Sequence, residues 1–158
     1  MFNHTTRQTQ AAPPTAIMET IASRFGDITV DTDKAILFQC GLLGMPDKRR
    51  YVLAKFPSPK MQQFTMLQSL DDVGLSFITL PLELRNSILA EADVREACRE
   101  LQIAETSLAL LLIVTVHRGA SQVKVSVNAR APLFIDAERK TGVQHVLPQD
   151  HYKVQHML

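Results

Sequence analysis

The chain has 158 residues, of which 46% are apolar and 21% charged, enough for one folded domain and against wholesale disorder. Lys and Arg number 17 and Asp and Glu 16, and the net charge of +1 argues against a protein that coats nucleic acid. Cys40 and Cys98 lie far apart and form no Cys-x-x-Cys pair, which indicates a reducing compartment, the cytoplasm.

The N-terminal segment differs in composition from the rest of the chain. Its first fifteen residues are polar and lack the apolar stretch of a signal peptide. We therefore expect a flexible extension over residues 1–17 and one domain over 18–158. The longest apolar run, Leu108–Val116, has about half the length of a membrane-spanning helix, so no membrane segment is expected.

The first half of the domain is predicted to consist of short strands. Weak alternation and β-branched residues place them at 25–30, 35–38, 51–56, 64–67 and 75–80. Gly41, Gly44 and Pro46 interrupt this pattern with a turn. The residues 71–74, of sequence Asp-Asp-Val-Gly, are predicted to form a loop between two strands.

One amphipathic helix is predicted in the middle of the chain. Its apolar positions recur at i, i+3, i+4 and i+7 and are Val94, Ala97, Cys98 and Leu101. Asp93, three residues before Glu96, resembles a capping box with Asp in place of Ser or Thr. Because Cys98 lies within the apolar stripe, we interpret it as a small buried side chain.

The second half returns to strands. The run 108–116 is apolar throughout except for Thr115, as in a strand covered on both faces, whereas Val123–Asn128 alternates apolar and polar residues, predicting one wet and one dry face. A strand at 133–135 and a hairpin turned around 140–142 and leading into 143–147 complete the series. The elements predict a mainly β, antiparallel, partly closed barrel-like single domain with one or two helices packed on it, and a β-sandwich is the alternative.

The search for catalytic chemistry finds little. The sequence contains no nucleophile-elbow, phosphate-loop, zinc-protease or dinucleotide motif. Adjacent Asp71 and Asp72 are expected to cap the loop, and His145, His151 and His156 match no common metal spacing. We therefore expect no enzyme, metal or cofactor, and a module that binds another macromolecule. An alternative is a small ligand-binding barrel or an enzyme whose residues come from distant strands.

Charge is unevenly distributed along the chain. Residues 81–110 hold six acids and three bases, and residues 111–158 hold six bases and three acids. A solvated helix face explains the acidic stretch most simply, and an acidic partner-binding face is the functional interpretation. The basic cluster 48–50 is too small to indicate direct nucleic-acid binding.

Short motifs in a fixed order resemble the flagellar assembly factor FliW family. They are Phe-Gly-Asp-Ile at 25–28, Phe-Gln-Cys-Gly-Leu-Leu-Gly at 38–44, Leu-Gln-Ser-Leu-Asp-Asp at 67–72, Leu-Ser-Phe at 75–77 leading to Pro81, Ile-Val-Thr at 113–115, Val-Asn-Ala-Arg-Ala-Pro-Leu-Phe-Ile at 127–135, Gly-Val-Gln-His-Val-Leu at 142–147 and the closing Tyr152 to Leu158. The chain departs from the pattern at Met45 and Ala129, and it lacks an aromatic-rich acidic segment after Pro81.

The resemblance implies a non-enzymatic cytoplasmic protein that binds two partners. One is flagellin, and the other is the RNA-binding regulator CsrA, which represses flagellin translation and is antagonised by the free factor. A flagellin-only chaperone is the alternative within this class.

Six residues are candidates for partner binding. Gln68, Asp71 and Asp72 lie in the strongest family motif, where loop stabilisation competes with direct contact. Glu96 and Glu100 lie in the acidic segment, which we assign to CsrA because a protein that grips RNA phosphates is basic. Asn128, at the rim of an alternating strand, is assigned to flagellin.

Overall fold

The computed structural model describes residues 17–158, so the predicted extension lies outside the described residues except for Ile17. The Ile17 carbonyl accepts the Thr32 N–H at 2.9 Å, next to the first hairpin. The strands are β1 (Met18–Ser23), β2 (Gly26–Asp31), β3 (Ile36–Phe38), β4 (Arg50–Ala54), β5 (Thr65–Ser69), β6 (Ser76–Leu82), β7 (Leu108–Arg118), β8 (Val123–Val127), β9 (Leu133–Asp136), β10 (Thr141–Gln144) and β11 (His156–Met157), with one α-helix, α1 (Glu91–Leu101).

Seven strands close into a barrel in the order β7-β6-β5-β4-β3-β10-β9. Closure depends on β7, which pairs with β6 on one side and with β9 on the other, Leu111 lying opposite Leu133. Every neighbouring pair is antiparallel except β3 and β10, which run parallel. The mainly β, barrel-like fold is confirmed, and the ring is fully closed.

Two structures extend beyond the barrel. The hairpin β1–β2 forms a separate two-stranded sheet whose Ile28 and Val30 pack on Val52 and Met66 of β4 and β5. The outer half of β7 leaves the ring and pairs with β8, and β8 in turn pairs with β11. Strand β1 was not predicted, since its sequence Met-Glu-Thr-Ile-Ala-Ser alternates poorly and five of its six residues are not buried.

The barrel wall separates an inner from an outer core. Leu111 of β7 points into the barrel, where it contacts a cluster with Tyr51 and Leu67. Its neighbours Leu110 and Leu112 point outward into a second cluster beneath α1. This inside–outside alternation is the period-2 geometry of a strand, and it explains why the sequence of β7 is apolar at nearly every position.

The helix α1 buries the stripe predicted for it. Val94, Ala97 and Cys98 are buried, and burial raises the pKa of the Cys98 thiol, as expected for a side chain used as a hydrophobe. The capping box is wrong: the N-cap is Ala90, which supplies no side-chain bond. Asp93 instead lies inside the first turn.

The start of α1 is capped by the C-terminal segment. The Tyr152 hydroxyl accepts the Ala90 N–H at 3.0 Å and donates to Asp93, whose other oxygen accepts Gln149 Nε2 at 3.1 Å. Burial, and then the Asp93 carboxylate, raise the pKa of Tyr152. A tyrosine about 60 residues away in sequence thus accepts a backbone N–H at the helix start, as a local Ser or Asp side chain does in most helices.

The final hairpin is shifted from its predicted position. Thr141 and Gly142, expected in the turn, lie in β10 opposite Asp136 and Ile135, and Lys140 has the positive φ (56°) of the turn residue. The physical reason is a packing requirement: a Cβ on Gly142 would lie 2.6 Å from the ring of Phe38. Gly142 is therefore needed in the strand because the ring of Phe38 occupies the space that a side chain would take.

We expect Gly142→Ala to lower the free energy of unfolding by about 1–3 kcal/mol, because the buried Phe38 ring must move to accept the methyl group. Urea unfolding measures this change. The matched control is Gly74→Ala, whose methyl would meet its nearest neighbour at an ordinary 3.4 Å. Equal stability of the two variants would contradict the assignment.

Candidate partner-binding surfaces

The loop between β5 and β6 folds its side chains back on its own backbone. The Ser69 hydroxyl accepts the N–H groups of Asp71 and Asp72 at 3.1 and 3.0 Å, and Asp72 Oδ1 accepts the Gly74 N–H at 3.0 Å. Ser69 is fully buried, whereas both aspartates are exposed. Side-chain oxygens that replace a turn's missing acceptors are the usual role of Ser and Asp in such loops.

Gln68 supports this loop from inside. Its side chain is 0% exposed, and its Nε2 donates to the carbonyls of Ser69 and Val73 at 2.9 and 3.0 Å. Its Oε1 accepts the Ser76 hydroxyl. A buried amide with both ends bonded has no free surface, so Gln68 can influence a partner only through the shape of the loop.

Asp71 joins the loop to the start of β4. Its Oδ2 accepts the N–H groups of Arg49 and Arg50 at 2.8 and 3.0 Å, and its Oδ1 accepts Arg50 Nε at 3.0 Å. These bonds, first the Arg49 N–H and then the Arg50 N–H, hold the pKa of the Asp71 carboxyl below its usual value. One charge of the basic cluster 48–50 is therefore paired.

Two of the six acids of residues 81–110, Glu91 and Glu105, are paired with arginine. Glu91 accepts Arg95 at 2.8 Å and Arg85 at 3.1 Å, and Arg95 also reaches Glu105 at 3.0 Å. The hydrogen bond from Arg95 is the main cause that keeps the pKa of Glu91 low. These ion pairs form a belt along one side of α1 and leave little net charge there.

Glu96 and Glu100 remain as the exposed acidic pair of α1. They lie four residues apart, so their side chains share one face of the helix. Within residues 17–158 neither is paired with a lysine or arginine, and Glu100 lies 3.7 Å from Nε2 of His145. The structure thus brings these two candidates together and places them apart from the loop residues in the fold.

Asn128 belongs to a turn. Its Oδ1 accepts the Ala131 N–H at 3.0 Å and its own N–H donates to the Ile113 carbonyl, so the half-buried side chain shapes the turn that precedes β9. Whether it also touches a partner stays a prediction.

The wet and dry faces expected for 123–128 are wrong at two positions. Ser126, expected to be wet, is 1% exposed and lies 2.7 Å from Nε2 of His117, while Val123, expected to be dry, is 68% exposed. The cause is the overhang of the β7–β8 hairpin: no layer covers Val123, whereas β11 and His117 cover Ser126.

An open cleft of about 860 Å³ lies between β2, β4 and the end of β9. Apolar residues such as Ile36, Val52 and Ile135 form its floor, and its lysines lie on exposed positions. Of the lining residues that the structure describes, none is a buried polar side chain. The charged groups that line this cleft are thus solvated, and among the described residues it lacks the buried polar groups that orient a small ligand.

A search of residues 17–158 for metal sites finds no group of three or more His, Cys, Asp or Glu side chains placed to hold an ion. In the same range, no helix has the length and apolar character needed to cross a membrane.

We expect the double substitution Asp71→Ala and Asp72→Ala to lower the free energy of unfolding by about 1–2 kcal/mol, since three backbone N–H groups lose their acceptors. Thermal and urea unfolding test this, with exposed Asp150→Ala as the control. Unchanged unfolding together with lost partner binding would show that the aspartates act by direct contact.

The pKa of Asp71 predicts a pH dependence. Because the folded-state pKa is lowered from 3.8, the carboxylate's contribution to stability is complete above pH values near 3.8 and is lost as pH falls through the lower, folded-state value. The stability difference between the wild type and Asp71→Ala should therefore shrink on acidification. Urea unfolding from pH 7 to pH 2 measures it, and a constant difference would contradict the prediction.

Comparisons with known proteins agree on one family. The family model described as FliW protein matches residues 19–158. The flagellar assembly factor FliW of Oceanobacillus iheyensis is 30% identical over 140 residues, covering 87% of this chain and 92% of that protein. The FliW of Geotalea uraniireducens is 28% identical over 139 residues, covering 88% of this chain and 83% of that protein.

A solved structure has the same fold. The crystal structure of the flagellar assembly factor FliW superposes with a TM-score of 0.65 at 23% identity, covering 88% of this chain and 96% of that one. The family match over nearly all of the described chain and the shared barrel lead to one conclusion: this chain belongs to the FliW family of flagellar assembly factors.

Proposed function

We propose that this protein is a cytoplasmic, non-enzymatic flagellar assembly factor that binds flagellin and a CsrA-type RNA-binding regulator. By antagonising the regulator it couples flagellin translation to assembly, and by holding flagellin it acts as a chaperone. The family membership supports the flagellar role. The single observation that carries the regulator assignment is the exposed, unneutralised pair Glu96 and Glu100.

The acidic pair would act on the regulator through its charge. A regulator that holds RNA phosphates carries a basic surface, and an acidic face docked beside that surface lowers its affinity for RNA without occupying the RNA groove. Of the other acids of α1, Glu91 is paired with Arg85 and Arg95, and Asp93 is bonded to Tyr152 and Gln149. Glu96 and Glu100 are the carboxylates of this helix that no lysine or arginine of the described residues engages.

Two partners on one protein make a switch through linked equilibria. Flagellin and the regulator would compete for the same factor, or binding of one would lower the affinity for the other. Export of flagellin then frees the factor to bind the regulator. We assign flagellin to the strand 123–128 and its rim at Asn128, and we keep Asp71 and Asp72 as further contact candidates on the exposed loop. A factor that binds flagellin alone is the competing proposal.

Charge reversal of the acidic pair tests the regulator assignment. We expect Glu96→Lys with Glu100→Lys to weaken binding of the purified CsrA-type regulator by about fivefold or more, and more strongly at low ionic strength, where screening is weak. Flagellin affinity should change by no more than about 0.5 kcal/mol. Calorimetry against each partner at two salt concentrations measures both effects.

The matched control reverses the same number of charges elsewhere, at exposed Glu19 and Asp27 of the β1–β2 hairpin. Regulator binding that ignores the α1 reversal and the salt concentration would overturn the assignment of this face. Binding of flagellin with no detectable binding of the regulator to the wild type would favour the flagellin-only chaperone.

A further inference from the structure

The β7–β8 hairpin carries an uncovered continuation of the core. Because Val116 lies opposite Val125 and Arg118 opposite Val123, these side chains share the face on which Val114 and Val127 are buried. Along that face burial ends abruptly: Val127 is 0% exposed, Val116 38% and Val123 68%. Leu158, whose N–H donates to the Val125 carbonyl, extends the same surface and is 58% exposed.

We call Val116, Val123, Val125 and Leu158 the valine face. A contiguous apolar surface on an otherwise polar protein marks a place where another molecule docks. Isolated exposed valines need no explanation, but these four are neighbours: the valines lie on the paired strands β7 and β8, and Leu158, which follows β11, bonds Val125.

The charged side chains of the β7–β8 hairpin, Arg118 and Lys124, are both basic. Between Glu105 and Asp136 the sequence holds no acidic residue, and none follows Asp150. Arg118 stands on the face itself, and Lys124 is exposed at the edge of the same hairpin. A second copy of the chain would bring these cations together, so self-association through this face is disfavoured.

The outer edge of β8 presents backbone groups that no described strand pairs. The Asn128 N–H donates toward β7 and the Val125 carbonyl accepts from Leu158, so by alternation the peptide groups of Val123 point to the outer edge. Among the described strands, β11 ends opposite Ser126, Leu158 after it bonds Val125, and no strand covers Val123. An extended segment placed there would find an N–H and a carbonyl ready to pair.

We propose that the valine face is a docking site for an extended protein segment that alternates apolar and acidic side chains. The apolar side chains cover Val116, Val123 and Leu158, and the carboxylates, which alternate to the opposite side of the segment, meet Lys124. This inference rests on the proposed function only in taking the partner to be a protein. It refines the flagellin assignment by moving the contact from the polar rim at Asn128 to the apolar side of β8.

A chemical probe tests the surface without any natural partner. We would titrate the isotope-labelled protein with a capped peptide of four Glu-Val repeats and follow amide shifts by NMR. We expect the shifts to concentrate on 116–118, 123–125 and 158, and a peptide of four Lys-Val repeats to bind at least about tenfold more weakly. Shifts elsewhere, or equal binding of both peptides, would overturn the proposal.

Two sets of variants complete the test. Val116→Ser with Val123→Ser should weaken the acidic peptide about tenfold, whereas Ile17→Ser with Val146→Ser, at comparably exposed positions, should leave it within about twofold. Thermal unfolding of each variant verifies that it folds. Lys124→Glu should abolish the preference for the acidic peptide.

Natural partners and RNA are assayed in parallel. If the wild type binds neither flagellin nor the regulator while the acidic peptide still marks the valine face, the proposed function fails and this inference stands. If flagellin binds with unchanged affinity to the serine double variant and the peptide does not bind, the inference fails and the proposed function stands. Tighter binding of a single-stranded oligoribonucleotide than of the acidic peptide at these residues would overturn it in favour of a nucleic-acid surface.

Discussion

The architecture depends on how the outer edge of β7 is divided. Leu108–Leu111 pair with β9 and close the barrel, while Val114–Arg118 pair with β8 and leave it. One strand of 11 residues thereby serves both a closed ring and an overhanging sheet. Closure removes the strand edges of the ring, which would otherwise invite unspecific pairing, and it leaves unpaired edges mainly where β8 and the β1–β2 hairpin project. The surfaces available to partners follow from this division.

Much of the fold could be predicted because its signals are local. The stripe of Val94, Ala97 and Cys98 specifies α1, and the continuous apolar run of β7 indicates a strand with two buried faces. The signals that failed are those decided by distant residues. Tyr152 caps α1 from the other end of the chain, and Gly142 lies in a strand because Phe38 needs the space. Neither contact can be predicted from the residues that neighbour it in the sequence.

The candidate surfaces were predictable to a similar degree. Exposed acids at i and i+4 can be read from the helix period, and the capping role of Asp71 and Asp72 follows from the turn chemistry of aspartate. The alternation of apolar and polar residues predicted the wrong exposure for Val123 and Ser126 of β8, since it assumes a neighbouring layer along the whole strand. The missing signal was length: β7 has 11 residues against seven or fewer for the other strands, so its end must overhang the barrel.

The C-terminal segment ties the acidic helix to the overhanging sheet. Tyr152 is bonded to the start of α1, the Lys153 carbonyl accepts the N–H groups of Ala129 and Arg130, and His156 pairs with Val127 of β8. Tyr152 and His156 are four positions apart, a span of at most about 14 Å when extended, so the two anchors lie close together along the chain. A partner that contacts β11 therefore lies within about 14 Å of chain from the hydroxyl that caps α1. The two surfaces are connected through this one segment, although they lie on different elements and carry opposite charge.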